Sequence, residues 1–237
     1  MYRRQDEMKI QKTALKNIAD IIAGQIMNRV TCDRDGAEEG TEVYVLLPSS
    51  ISGGFIELEK LGYFYGEGAG SLPDSSKRSI VRLKKNPADD PTLAKKMTQK
   101  GDIIIKLSSP YDNAIVTGDA EGLLVPSFCA IIRIRDTEKY DQRFIAGYLN
   151  SGMIKEKLLM GVNSSAMSMV RMKALEELEI DIPDIEFQTD IGWAYFQSCR
   201  RTWMLGRMQR NQQNISDAII EEAIEALGRK DRDFGNN

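Results

Sequence analysis

Apolar and polar positions follow two different rhythms along the chain. In the first three quarters, short apolar runs alternate with turns. In the last quarter a helical period takes over and does not break. Leu15, Ile18, Ile21 and Ile22 recur at helical spacing, and Gly24 would stop a helix there. The run is short, so a strand, or a turn followed by a strand, fits it too. Glu42 to Pro48 reads as a strand by its β-branched and aromatic content, stopped by proline. A Ser/Gly turn at 49–54 leads into a short strand at Phe55–Leu58. Further strands are expected at Ser79–Lys84, Gly101–Leu107 (the clearest), Leu123–Pro126 and Phe128–Arg135. Pro91–Thr98 reads as a helical turn. Asp141–Asn150 opens an amphipathic helix with Phe144, Ile145, Tyr148 and Leu149 on one face. A second short helix at Met169–Glu177 leads into a strand at Leu178–Ile182. Scattered strands followed by short helices predict an α+β domain. No internal repeat is visible at any period.

Proline removes a backbone donor and biases the preceding residue towards extended geometry, so Pro183 marks a boundary. From Gln188 to Gly228 the pattern predicts one helix, about 60 Å long at roughly 1.5 Å per residue. A compact body built from the preceding residues should be only about 40 Å across. The arm is therefore expected to project and to need a partner for its stripe. Starting at Ile191, a spacing of three and four runs through Ala194, Ser198, Arg201, Leu205, Met208, Gln212, Ile215, Ile219, Glu222 and Ala226. This is a loose heptad, widened by Tyr195, Trp203, Met204 and Ile220. The segment 209–214 is rich in Gln and Asn and also allows a turn, with Asn214 or Ser216 capping a second helix. A continuous helix is expected, because these residues are tolerated in helices and no proline intervenes.

Composition narrows the function. The chain has 237 residues, 42% of them apolar and 28% charged, as in ordinary globular proteins. No stretch approaches the roughly eighteen apolar residues of a membrane span. Met1 to Glu7 mixes charges and has no apolar core behind it, unlike a signal peptide. Cys32, Cys129 and Cys199 are odd in number and widely spaced, which suggests reduced, buried cytoplasmic thiols. The complete lack of histidine excludes His-based triads, His acid–base catalysis and His metal sites, and leaves carboxylate or lysine chemistry open. A net charge of −3 argues against indiscriminate coating of nucleic acid, although a local basic region can still bind it.

Such a region exists. Lys77, Arg78, Arg82, Lys84, Lys85, Lys95, Lys96, Lys100 and Lys106 stand against Asp89, Asp90 and Asp102. Nine basic against three acidic residues give +6, so the rest of the chain carries −9 to reach −3. Lysine and arginine placed this way suit the phosphates of duplex DNA. Charge alone favours a plain solvated strand face and loop. Gly66-Glu-Gly68-Ala-Gly70 is Gly-rich but lacks the lysine of a P-loop and the spacing of a dinucleotide fingerprint, so a flexible turn is the simpler reading.

Leu15-Lys-Asn-Ile-Ala-Asp-Ile-Ile-Ala-Gly24, Gly101-Asp-Ile-Ile-Ile-Lys-Leu, Gly147-Tyr-Leu-Asn-Ser, and Gly161-Val-Asn-Ser-Ser-Ala-Met-Ser followed by Leu175 and Leu178-Glu-Ile-Asp-Ile-Pro183 occur in an informative order. Together they resemble the DNA-specificity (S) subunit of type I restriction–modification systems, with Gln188 and Ile191 at the entry to its spacer helix. The resemblance implies a twisted mixed β-sheet target-recognition domain with short helices and one long C-terminal coiled-coil helix. The expected organisation is an N-terminal extension (1–12), a target-recognition domain (13–187), a dimerisation arm (188–228) and a polar tail (229–237). Such subunits usually carry two domains and two antiparallel helices, so this chain resembles half of one. A homodimer would then read a split, inverted-repeat target on double-stranded DNA.

The resemblance implies no catalysis and no cofactor in this chain. A partner methyltransferase would use S-adenosylmethionine, and a separate nuclease subunit would use ATP and Mg. The residues agree: Asn86-Pro87-Ala88-Asp89 lacks the second proline and the aromatic of a methyltransferase motif. Neither Pro73-Asp74 nor Pro183-Asp184 is followed by the Asp/Glu-x-Lys of a nuclease. Two other readings stand beside this one. The arm could belong to a scaffold that does not bind DNA, or the Gly66–Gly70 loop to a nucleotide-dependent enzyme.

Overall fold

The computed structural model describes residues 10–31, 40–61, 79–160 and 169–234, with the backbone alone from 226 to 234. Lys77, Arg78, Cys32, the Gly66–Gly70 loop and the 161–168 segment lie outside the described residues. The chain divides into two compact units, Met1–Gln197 and Ser198–Asn237.

The first unit is built on a four-stranded antiparallel sheet in the order β2 (Ala19–Ala23), β9 (Cys129–Ile134), β7 (Ile103–Lys106), β8 (Asn113–Ile115). Parallel pairing enters through isolated bridges, such as Gln25 with Pro126 and Val45 with Leu124. Strand side chains alternate between faces, and here both faces are covered. Ile103 and Ile105 join one apolar cluster with Ala130 and Ile132, whereas Ile104 joins another with Cys129 and Ile131. That is why this run reads as continuous isoleucine rather than as an alternation.

The first cluster is closed by α1 (Leu15–Ile18), α3 (Gln142–Asn150), α4 (Gly152–Met160), α5 (Met172–Glu176) and β10 (Glu179–Ile182). Asp141 starts α3 as its N-cap, accepting from the amides of Arg143 (2.8 Å) and Phe144 (3.3 Å). Phe144, Ile145 and Leu149 are buried as the pattern predicts, and Tyr148 is half-buried with its hydroxyl 3.2 Å from Asp181 Oδ2. β1 (Gln11–Ala14) pairs antiparallel with β10, from Gln11 opposite Ile182 to Ala14 opposite Glu179.

The opening segment is not one helix. It is a strand, a single helical turn and a second strand, because β10 and β9 offer ladder partners on either side of Leu15–Ile18. Gly24 therefore does not cap a helix. A Cβ there would lie 2.0 Å from the Pro126 carbonyl oxygen, so glycine is required by the close approach of two backbones. Leu123–Pro126 forms isolated bridges to both sides rather than a strand. β8 and α4, which the apolar pattern does not single out, complete the body.

The arm is one helix. α6 runs from Ile185 to Phe234, straight through 209–214, so neither a turn nor a hairpin forms there. It starts earlier than Gln188 and ends later than Gly228, since no strong breaker follows Pro183 and a single glycine does not stop a helix. Its first turns belong to the first unit and are tightly seated. Gly192 lies against Phe144, where a Cβ would come within 2.6 Å of the backbone nitrogen. Gln188, 1% exposed, accepts from the Asp141 amide (3.1 Å) and donates to the carbonyls of Lys139 (3.1 Å) and Pro183 (2.8 Å).

Candidate nucleic-acid interface

The basic segment is organised by a small apolar cluster of its own. Val45, Leu83, Leu93 and Leu124 are buried together, flanked by Met27, Val30, Val43, Val81 and Met97. Leu83 ends β6 (Ile80–Leu83), which pairs antiparallel with β3 (Thr41–Tyr44) as a two-stranded ribbon. Leu93 lies in α2 (Pro91–Ala94), whose N-cap Asp90 accepts from the amides of Thr92 (2.9 Å) and Leu93 (3.2 Å). Two apolar anchors thus fix both ends of the stretch that carries Lys84 and Lys85, leaving those lysines exposed.

The remaining cations fall into separate environments. Arg82 stands on β6 opposite Glu42, with Nε 2.9 Å from the carboxylate, and both side chains are exposed. An exposed pair of this kind contributes about 0–1 kcal/mol to stability. Lys95 is exposed at the end of α2. Lys96 donates to Gln25 Oε1 at 2.8 Å, half-buried. Lys100 is exposed, its amide bonded to Glu121 at 2.7 Å. Lys106 differs from all of these. Its side chain is only 14% exposed and lies 3.4 Å from Asp112, which also holds Lys155 at 2.6 Å. A lysine held this way offers little charge to a phosphate.

Asp102 differs too. It is 1% exposed and takes a two-pronged contact from Arg133, at 2.8 and 2.7 Å. It also accepts the Gln99 amide at 2.8 Å, while Arg133 reaches the Met97 carbonyl at 3.2 Å. The hydrogen bond to Asp102 raises the Arg133 pKa, against the cost of burial. The pair ties the loop after α2 to the central sheet. Setting aside buried Asp102 and paired Lys106 leaves eight basic against two acidic residues. Six of those eight, Arg82, Lys84, Lys85, Lys95, Lys96 and Lys100, lie among the described residues, on β6 or between β6 and β7.

Sequence reasoning missed Arg29. It lies in a helical turn at Met27–Arg29, far from the basic segment in the chain. Thr31 bridges to Leu83, and the Lys84 amide donates to the Val30 carbonyl at 2.9 Å. These bonds bring Arg29 to a cavity of about 210 Å³ that it lines with Val30, Lys84, Lys85, Asp90 and Leu93. No sequence signal announces it, since an isolated arginine in a turn is ordinary.

A solved structure of the type I restriction–modification system, determined for its complex assembly and conformational transition, matches this chain at 14% identity with a TM-score of 0.51. It covers 86% of this chain and 41% of its own. The chain shares its fold with that chain of the type I restriction–modification system. The HsdS subunit of Thermoanaerobacter tengcongensis aligns at 16% identity over 84% of this chain and 40% of its own, with a TM-score of 0.49. The S subunit of M. genitalium does so at 15% identity over 81% and 40%, with a TM-score of 0.45. This chain thus spans about two fifths of the length of the solved chains it matches. Neither a protein-family model nor a curated protein sequence matches it.

Within this fold, Gly101–Leu107 supplies an inner strand, β7 between β9 and β8. Gly147–Asn150 lies on α3 and Leu178–Ile182 overlaps β10. In the first unit, Ile191 and Ala194 of the arm are exposed. In the second, Leu205, Met208, Ile215 and Ile219 are between 55 and 68% exposed. Ala226 lies where the backbone alone is described. Among the described residues no helix is long and apolar enough to cross a membrane, and no cluster of His, Cys, Asp or Glu could hold a metal ion.

Proposed function

We propose that this chain is a DNA-recognition half of a type I specificity subunit, which pairs with a second copy through α6 and reads one half-site per copy. The exposed apolar stripe of the second unit is the observation that carries the pairing. Met204, Leu205, Met208, Ile215 and Ile219 fall within about 100° of arc on one helix face and are each at least 46% exposed. A stripe of this size on a water-soluble helix calls for a partner surface.

Charge along the same helix favours a second copy, and in antiparallel order. Arg200, Arg201, Arg207 and Arg210 occupy the half before Gln212, with no acidic residue among them. Asp217, Glu221, Glu222 and Glu225 occupy the half after Gln213, with no basic residue before Arg229. Parallel copies would set like charges side by side. Antiparallel copies centred on Gln212 and Gln213 set arginine against carboxylate along both flanks. The twofold axis so formed would carry two heads to a split, inverted-repeat site. Methyl transfer and cleavage then belong to partner subunits, which bring S-adenosylmethionine, ATP and Mg.

Sedimentation of the full chain should give a dimer, and Ile219→Asp should give a monomer that remains folded. Selection from a randomised duplex pool should return a bipartite inverted repeat with the dimer only. A wild-type monomer at high concentration removes the pairing. A dimer that binds no duplex leaves a scaffold.

A further inference from the structure

The cavity lined by Arg29, Lys84 and Lys85 gathers three cations from two distant parts of the sequence. Among the described residues none of the three forms an ion pair, and all three are exposed. The one acidic side chain at the cavity is Asp90, whose Oδ1 accepts both capping amides of α2. The walls are otherwise apolar, Val30 and Leu93, and belong to the small cluster that fixes the backbone on both sides. Like charges held together on a rigid apolar floor repel each other unless an anion sits between them.

We propose that Arg29, Lys84 and Lys85 form a seat for a backbone phosphate of duplex DNA, one that positions the domain without reading sequence. This rests on the DNA reading above. A base edge bears no net charge, whereas each backbone phosphate brings a full negative charge to the three cations. Lysine suits a phosphate, because its compact ammonium acts as a point charge. The seat continues into the ribbon. Arg82 stands on β6, one residue before Leu83, opposite Glu42 of β3, so a polyanion seated here passes beside an exposed cross-strand pair.

The test uses the full chain with two duplexes, one selected from a randomised pool and one of scrambled sequence, each titrated at several salt concentrations. Arg29→Gln should weaken both duplexes by the same factor, roughly fivefold. It should also flatten the slope of log affinity against log salt by about 0.9. Arg29→Lys should restore both, because only the charge is required. Lys84→Gln with Lys85→Gln should act in the same direction and further. Thermal midpoints of all the variants should stay near wild type.

Arg29→Gln with an unchanged salt slope overturns the seat. So does a loss confined to the selected duplex that Arg29→Lys fails to rescue, since that is the signature of a base contact. If inorganic phosphate at matched ionic strength binds wild type but not Arg29→Gln, and does so without displacing duplex, the seat takes free phosphate and the backbone assignment falls. A wild-type chain that binds neither duplex removes the DNA reading and the seat with it. Wild-type binding with an inert Arg29→Gln removes the seat alone.

Discussion

Gln188 holds the first turns of α6 onto the body, and removing its side chain should be costly. Its amide makes three hydrogen bonds to the backbone, at 3.1, 3.1 and 2.8 Å, and it is 1% exposed. Gln188→Ala strands one N–H and two carbonyls in a buried site. At about 1 kcal/mol for each lost bond, the expected destabilisation is about 3 kcal/mol. For a chain of this size that corresponds to a Tm lower by about 6–12 °C. Urea unfolding followed by circular dichroism measures it directly. Gln188→Glu separates hydrogen bonding from volume, because a carboxylate can accept from Asp141 but cannot donate to two carbonyls. Burial and those carbonyls should raise the new carboxyl's pKa, so its deficit should be largest at neutral pH and shrink as pH falls and the acid becomes a donor. A loss below about 1 kcal/mol for Gln188→Ala, or a pH-independent deficit for Gln188→Glu, would refute the account.

Asp102→Ala leaves the partly exposed Arg133 guanidinium without its carboxylate and should cost about 1–3 kcal/mol. The double change with Arg133→Met should recover part of that loss, as a double-mutant cycle in urea would show. Burial pushes the Cys129 thiol up to about 12 from an ordinary value of 9.0. The folded state therefore keeps a proton that the unfolded chain gives up. Stability from this group is complete below about pH 9 and falls by about 1.4 kcal/mol per pH unit from there towards pH 12. Comparing wild type with Cys129→Ala across that window isolates the slope, and equal slopes would rule the effect out. In the native chain at pH 8 a thiol reagent should modify half-buried Cys199 ahead of Cys129.

The long helix was legible in the residues alone, because unbroken apolar spacing and the lack of proline after Pro183 act locally. So were the Gly101–Leu107 strand, the Asp141-capped helix and the presence of a basic segment. Each rests on interactions within a few residues of chain. Long-range contact decided the rest. Whether Leu15–Ile22 became one helix or two strands depended on β9 and β10 being there to pair with it, and Gly24 proved to be a point of backbone contact. Charge could be counted from the sequence but not located. Asp102 turned inward to Arg133 and Lys106 to Asp112, while Arg29 joined Lys84 and Lys85 across more than fifty residues of chain. Electrostatic interaction depends on distance in space and on burial, and neither is set until the apolar clusters close.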